Sequence, residues 1–354
     1  MNTFFIILIA LIVFGLLVIV HEFGHFITAK LAGVTIHEFS IGMGPLLASV
    51  TKGGTMYSLR LLPIGGYVKM EGEDEDSNDQ NAFCNKKVWQ KILVVIDGAV
   101  FNVVLGFILI TIVTSLQPKL STTVVGEFNQ GATSTEKLML NDEILKINGT
   151  KINLVNDILF EFMRDEDGLV DIEVMRDKQK LILDAVPFET YMTDGVQMLR
   201  LDFKVYGRDK TVGGVISESY YMTASVVRQV WVSFGDLITG KFGFNQLSGP
   251  IGVTGAIGDV VNDAIEVAKE HNSWQALLSP LFMIAYITIN LGVFNLMPLP
   301  ALDGGRLIFL LIEAVRGKPV PAKYEGFVHA AGFFLLIGLM IAVTYQDILK
   351  IFTR

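Results

Sequence analysis

The sequence predicts an α-helical polytopic membrane protein with four transmembrane helices, a membrane-associated cytoplasmic β-hairpin region and an inserted extracytoplasmic α+β domain. Three observations carry that expectation. The chain is 51% hydrophobic over 354 residues, and its mean hydropathy of +0.50 exceeds what a soluble chain of this length needs to fill a core. Four apolar runs each approach the length of a bilayer crossing. A His-Glu-Phe-Gly-His sequence, 21–25, sits where the first of them ends.

The first run, from about Thr3 to Val20, continues helically through Phe26. A secretory signal would carry a basic start and a small-residue cleavage site, whereas no Lys or Arg precedes Lys30. Residues 1–29 therefore read as a retained first span. Residues 30–91 form a loop in which Tyr57–Met70 has strand-like residues interrupted by Pro63 and the pair Gly65-Gly66, as in a hairpin. The acidic run from Glu71 to Asp79 fails the calcium-loop pattern, because Asp79 takes the turn-glycine position and Asn85 the closing-Glu position. It reads as a solvated loop.

Residues 92–116 are the second span, 277–303 the third with an Asp-Gly motif at its end, and 327–354 the fourth with its tail. Lys30, Lys52, Arg60, Lys69, Lys86, Lys87 and Lys91 place 30–91 in the cytoplasm by the positive-inside rule. Arg306, Arg316, Lys318 and Lys323 do the same for the loop 304–326. The long stretch between spans two and three then lies outside. Its first part, 117–205, has short β-rich runs and charged turns around Leu140-Asn-Asp-Glu-Ile-Leu-Lys-Ile-Asn-Gly149. At roughly 85 residues it is adequate to fold as a domain. The rest, 206–276, contains an expected amphipathic helix over Ser225–Leu237, with Val226, Val227, Val230, Trp231, Phe234, Leu237 and Ile238 on one face. That face packs on protein, lies among headgroups or meets a substrate.

Composition also excludes. A net charge of -8 gives no basic face for nucleic acid. Cys84 is the only cysteine, so an intrachain disulfide and a cysteine-based metal site are both ruled out.

His21 and His25 are one turn apart on a helix, so both imidazoles can reach one Zn²⁺, while Glu22 lies beside them to accept a proton from water. Ionisable groups in a span are costly and tend to face a protein interior or a wet cavity. Here Leu16-Leu-Val-Ile-Val20 before and Phe26-Ile-Thr-Ala29 after keep the helix apolar. A catalytic zinc needs a third protein ligand. His37, His271 and His329 show no paired context. Asp303 is the better candidate, because Asn295-Leu-Met-Pro-Leu-Pro-Ala-Leu-Asp303-Gly-Gly breaks the third span. Such breaks persist at membrane depth only where they are buried in protein or line a cavity.

These motifs closely resemble the site-2 protease family of intramembrane zinc metalloproteases (peptidase family M50), of the bacterial regulator of sigma-E protease type. The resemblance extends to Phe39-Ser-Ile-Gly-Met-Gly-Pro45, Pro63-Ile-Gly-Gly-Tyr-Val-Lys-Met70 and Leu247-Ser-Gly-Pro-Ile-Gly252. It implies Zn²⁺ on His21, His25 and Asp303, with Glu22 catalytic. It also implies Asn102 as a substrate-positioning residue and a hairpin near Gly65 and Gly66 that holds substrate as an extended strand, beside which Asn295 either holds substrate backbone through its amide or makes an interhelical polar contact. The outer domain is similar to a single PDZ domain, which would exclude bulky substrates. By the same resemblance the protein resides in a bacterial inner membrane and meets lipid. Its implied substrates are single-span proteins, such as anti-sigma factors first trimmed by a site-1 protease, and remnant signal peptides. Two segments depart from the family. Asp97-Gly-Ala-Val-Phe-Asn102 replaces Ala-Gly-Pro-x-x-Asn, and Gly131-Ala-Thr-Ser-Thr135 replaces the usual Gly-Ser-Pro-Ala. A membrane adaptor with a relict metal site is the rival from another class. A transporter is disfavoured by four spans without an inverted repeat.

Overall fold

A computed structural model describes residues 3–353 except 74, 194–195, 242, 244–246 and 272–273. The chain begins with helix α1 (Thr3–Leu31), then strands β1 (Ile36–Lys52) and β2 (Thr55–Met70), then α2 (Val88–Leu116). A β-rich stretch follows: β3 (Leu120–Phe128), β4 (Glu143–Ile147), β5 (Thr150–Lys151), α3 (Val155–Met163), β6 (Leu169–Arg176), β7 (Gln179–Pro187), β8 (Thr190–Thr193), β9 (Val196–Leu199) and β10 (Phe203–Arg208). Helices complete it: α4 (Val212–Thr239), α5 (Pro250–His271), α6 (Leu278–Asn295), α7 (Asp303–Arg316) and α8 (Ala322–Thr353). Among the described residues, four segments are long and apolar enough to cross a membrane: Phe4–Leu31, Val88–Leu116, Gln275–Asn295 and Ala322–Lys350. The chain divides into two units, 1–109 with 236–354, and 110–235.

In the first unit, α1 and α2 approach backbone to backbone. A Cβ on Gly24 would lie 2.4 Å from the Asp97 carbonyl oxygen, so no larger residue fits at that crossing. The Thr28 hydroxyl donates to the Asp97 carboxylate at the same level. Gly292 lets α6 close on α2, since a Cβ there would stand 2.7 Å from the Ala99 carbonyl oxygen. Phe26, Ala29, Val34, Ile36, Phe39, Val68, Phe83, Val94, Val95 and Leu310 fill the core that joins α1, α2, α7 and the strands.

The chain reverses at Gly53-Gly54, both at positive φ, and again between Leu59 and Gly66, because 38–41 pair with 56–59 running in the same direction and with 66–69 running in the opposite one. The two long strands also fold back on each other. Phe39 pairs with both Val68 and Tyr57, and Ile41 with both Gly66 and Leu59. Residues 38–41 are thus flanked on both sides, whereas among the described residues 66–70 pair only with 36–41 and form an edge. Buried Glu38 ties the sheet together by accepting from the Ser58 hydroxyl at 2.5 Å and from Arg60 at 2.7 Å. Ile41, Met43, Leu46, Leu47, Val50, Leu59, Leu61 and Leu62 remain exposed, an apolar surface that water would not favour.

In the second unit the sheet order is β10-β3-β4-β6-β7, with β5 on β4 and a separate β8–β9 ribbon. Alternating apolar residues of these strands and of α3 form its core, including Val125, Ile144, Ile147, Ile158, Phe162, Val170, Ile172, Val174 and Phe203. Asp157, 1% exposed, caps α3 by accepting from the Asn153 and Leu154 amides at 2.9 and 3.1 Å. It also accepts from the Ser225 hydroxyl at 2.5 Å and from Arg228 at 2.9 Å, which fastens α4 to α3. Helix α4 begins thirteen residues earlier than the expected Ser225. It does not bury the predicted apolar stripe whole: Val226 is buried, but Trp231 and Ile238 are exposed, and Ser219 and Thr223 are buried instead.

Candidate metal centre

The centre is assembled from three helices. On α1, the four-residue spacing turns His21 and His25 to one side, with ring centroids 4.8 Å apart and both side chains buried. The third group, Asp303, opens α7 after an irregular passage from the end of α6. The Met297 amide donates to the Phe294 carbonyl at 3.0 Å, Ala301 adopts φ +71°, and the Ala301 amide donates to His329 Nδ1 at 3.0 Å. A Cβ on Gly304 would stand 2.1 Å from the Met297 carbonyl oxygen, so glycine there lets α7 fold back on the end of α6. The two prolines and two glycines therefore do what the sequence suggested. They halt the helix and return the chain with a carboxylate at its first turn.

His21 Nε2, His25 Nε2 and Asp303 Oδ2 form a near-equilateral triangle. Each imidazole nitrogen is 3.1 and 3.3 Å, respectively, from the carboxylate oxygen, and the nitrogens are 3.2 Å apart. Tetrahedral zinc with bonds of about 2.0–2.1 Å separates its ligands by about 3.3–3.4 Å, close to this triangle. Asp303 Oδ2 is buried yet makes no hydrogen bond despite these neighbours, so a cation is the partner that the geometry lacks. His25 Nδ1 lies 2.7 Å from the Val94 carbonyl oxygen. An N–H there leaves Nε2 with its lone pair facing the triangle, the tautomer that a metal ligand requires. The donor set fits zinc, and it cannot hold a soft-thiolate cluster.

Glu22 projects from the same turn, with His25, His21, Asp303 and Glu73 as its charged neighbours. Its Cγ would lie 3.4 Å from a Cβ on Gly66, so the edge segment 66–70 runs beside the acid. A Cβ on Gly15, two turns earlier on α1, would stand 2.9 Å from the Pro63 carbonyl oxygen. Gly65 and Gly66 are therefore held against α1, next to Glu22. Asn295 Nδ2 reaches to 3.3 Å from His21 Nε2, while Asn102, fully buried, reaches to 3.4 Å from His21 Nδ1 on the opposite edge of the ring.

Several contributors were not anticipated. The Val94 carbonyl carries no side-chain signal. Gly98 stands within the departure Asp97-Gly-Ala, and a Cβ there would lie 2.4 Å from His25 Nε2 and 2.8 Å from His21 Cε1. The spacing 94, 98, 102 marks one face of α2 and was the available clue. His329, read as lacking a paired context, supports Ala301 beside Asp303, and His37 lies 2.7 Å from Glu71. The side chain of His271 lies outside the described residues. A cavity of about 490 Å³ opens beside Asp303, lined by Glu73, Arg306, Glu325 and His329 among others.

The sequence has relatives along nearly its whole length. It is 33% identical over 344 residues to a Clostridium perfringens protein named as a candidate zinc metalloprotease, covering 97% of this chain and 98% of the relative. It is 30% identical over 423 residues to zinc metalloprotease RasP of Geobacillus kaustophilus, covering 97% of both. Regulator of sigma-W protease RasP of Bacillus subtilis is 28% identical over 425 residues, covering 97% of this chain and 98% of the relative. The sequence model described as Peptidase family M50 matches residues 9–339. With a match along nearly its whole length, the chain belongs to peptidase family M50.

Proposed function

We propose that this M50 peptidase is an intramembrane zinc metalloprotease that hydrolyses peptide bonds within transmembrane segments of single-span proteins. The observation that carries this is the triangle of His21, His25 and Asp303 at an apolar span, with Glu22 and a strand edge beside it. His21, His25 and Asp303 hold the metal. Bound zinc supplies Lewis-acid polarisation and lowers the pKa of water. Glu22 accepts the proton of the attacking water and delivers it to the leaving amine. A helical substrate carbonyl is hydrogen-bonded and covered, so the scissile segment must unwind. The edge at Gly65 and Gly66 replaces its lost backbone bonds by strand addition. Asn295, beside His21 Nε2, offers an amide donor to the substrate backbone.

The exposed apolar residues of the β1–β2 pair support its seating in lipid, and the Lys and Arg of 30–91 support a cytoplasmic side for it. This orients the enzyme in the bacterial inner membrane with the β-rich unit outside. That unit acts as a PDZ-like gate that excludes long ectodomains until a site-1 protease has trimmed them. The sigma-factor role named for the Bacillus subtilis relative supports anti-sigma factors as substrates, alongside remnant signal peptides.

Purified full chain in liposomes with a model single-span substrate tests the chemistry. Glu22→Gln should abolish cleavage while zinc stays bound; sustained turnover would remove Glu22 from its role. Deleting 122–204 should admit substrates with longer outer tails. Undiminished length discrimination in that variant would sink the gate and leave the metal centre untouched.

A further inference from the structure

The two asparagines at His21 make incompatible demands on one ring. Asn295 presents Nδ2 to His21 Nε2 at 3.3 Å, and Asn102 presents Nδ2 to His21 Nδ1 at 3.4 Å. A neutral imidazole has one acceptor nitrogen, so it cannot accept from both amides. The position of Asn102 decides which must turn. Its side chain is 0% exposed and its Oδ1 is buried with no hydrogen-bond partner. A half-turn of that amide exchanges its two ends. It brings the orphaned Oδ1 onto Nδ1, which must then carry the proton, and leaves Nε2 as the lone-pair nitrogen facing Asp303.

We infer that Asn102 is a positioning residue that accepts a hydrogen bond from His21 Nδ1–H and so fixes the tautomer and ring orientation of a metal ligand. It does not hold substrate. The inference rests on His21 being a ligand. Its geometry is paired with that of His25, whose Nδ1 meets the Val94 carbonyl. Val94, Gly98 and Asn102 are successive turns of one face of α2. Two of them supply acceptors to the two rings, and the glycine between lets the rings approach. Helix α6 secures Asn102 from behind. The Thr288 hydroxyl donates to the Asn102 carbonyl at 3.3 Å, and a Cβ on Gly292 would lie 3.1 Å from Asn102 Cβ. A fully buried amide walled in by two helices is suited to hold a ring, not to meet a passing peptide.

The test is competition for zinc by a chelator in the purified full chain, with wild type, Asn102→Leu, Asn102→Asp and His21→Ala. Asn102→Leu removes the acceptor at similar volume and should weaken zinc binding by about 10–100-fold, the usual effect of losing such a partner. Asn102→Asp keeps an oxygen toward Nδ1 in either orientation and should restore binding to near the wild-type value. Wild-type affinity in Asn102→Leu, with loss confined to substrate KM, would overturn the inference, as would equal loss in both Asn102 variants. His21→Ala separates the premise: wild-type zinc affinity there would defeat the ligand assignment itself. A second readout needs no variant. Nitrogen–proton correlation spectra of the zinc-loaded wild type should place a hydrogen-bonded proton on Nδ1 of His21, and a proton on Nε2 would refute the assignment.

Discussion

Gly98→Ala adds a single methyl group at the point where α2 faces both imidazoles. The new carbon would lie 2.4 Å from His25 Nε2, 2.7 Å from His25 Cε1 and 2.8 Å from His21 Cε1. Ordinary contact begins at 3.4 Å, so the rings or the helix must yield by about 1 Å at the tightest point. Metal bonds tolerate about 0.2 Å, so a displacement several times larger falls on the two nitrogens. Helix propensity works the other way, since alanine is favoured over glycine by about 1 kcal/mol in a helix interior. Overpacking costs about 1–3 kcal/mol, which leaves only a small net change in fold stability. The expected variant is therefore folded but poorly metallated, with zinc affinity reduced about 10–100-fold, as when a metal site's supporting groups are disturbed. Cleavage should fall at least in step, because a 1 Å misplacement costs about 100-fold in rate. The assay pairs chelator titration with cleavage of a single-span substrate in liposomes. Gly338→Ala is the control, as nothing lies within 4 Å of a Cβ there. Wild-type zinc affinity and rate in Gly98→Ala would refute the close packing of α2 on the rings and the account of the centre built on it.

Two further outcomes follow from the same structure. Asp303→Asn should weaken zinc binding by more than about 100-fold, beyond the effect of disturbing a supporting group; metal content that survives dialysis unchanged would take Asp303 out of the ligand set. Asp157→Ala removes a buried carboxylate that caps α3 and binds Ser225 and Arg228. It should destabilise the β-rich unit by about 1–3 kcal/mol, the cost of a lost cap and of unpaired buried donors, read as faster amide hydrogen exchange across 120–208, and unaltered exchange would show that this network contributes little.

Much of the centre was legible because polar residues in apolar surroundings are conspicuous. His21, Glu22 and His25 stand out within a run of aliphatic residues, and Asp303 lies between Pro298 and Pro300 on one side and Gly304-Gly305 on the other. Contributions from the backbone were not legible: the Val94 carbonyl is the same in any residue, and Gly98 registers only as a missing side chain. In the fold, the apolar runs and the β-rich insertion could be read from hydropathy and alternation. The start of α4 was hidden, since Gly213-Gly214 reads as a breaker and Ser217, Ser219 and Thr223 dilute the periodicity. Within the helix the buried Ser219 and Thr223 satisfy their hydroxyls on carbonyls four residues back. Helix α5 is likewise absent from the expected elements, although Pro250 opens it at a position where proline suits a first turn. Residues 304–326 were read as loop, yet α7 runs to Arg316 and closes with Gly317 in the left-handed conformation.

The distance along the chain between the histidines and Asp303 bears on how the enzyme is made. About 280 residues separate His25 from Asp303, and synthesis at about 5–20 residues per second takes roughly 14–56 s to cover them. Through that interval a nascent chain already inserted by its first span has two of the three proposed ligands and no third. The amide of Ala301 further depends on His329, from the last helix to be made. On the proposed ligand set, hydrolytic competence waits for the end of biogenesis, and a chain stalled or truncated during insertion would lack the third ligand and be unable to cut.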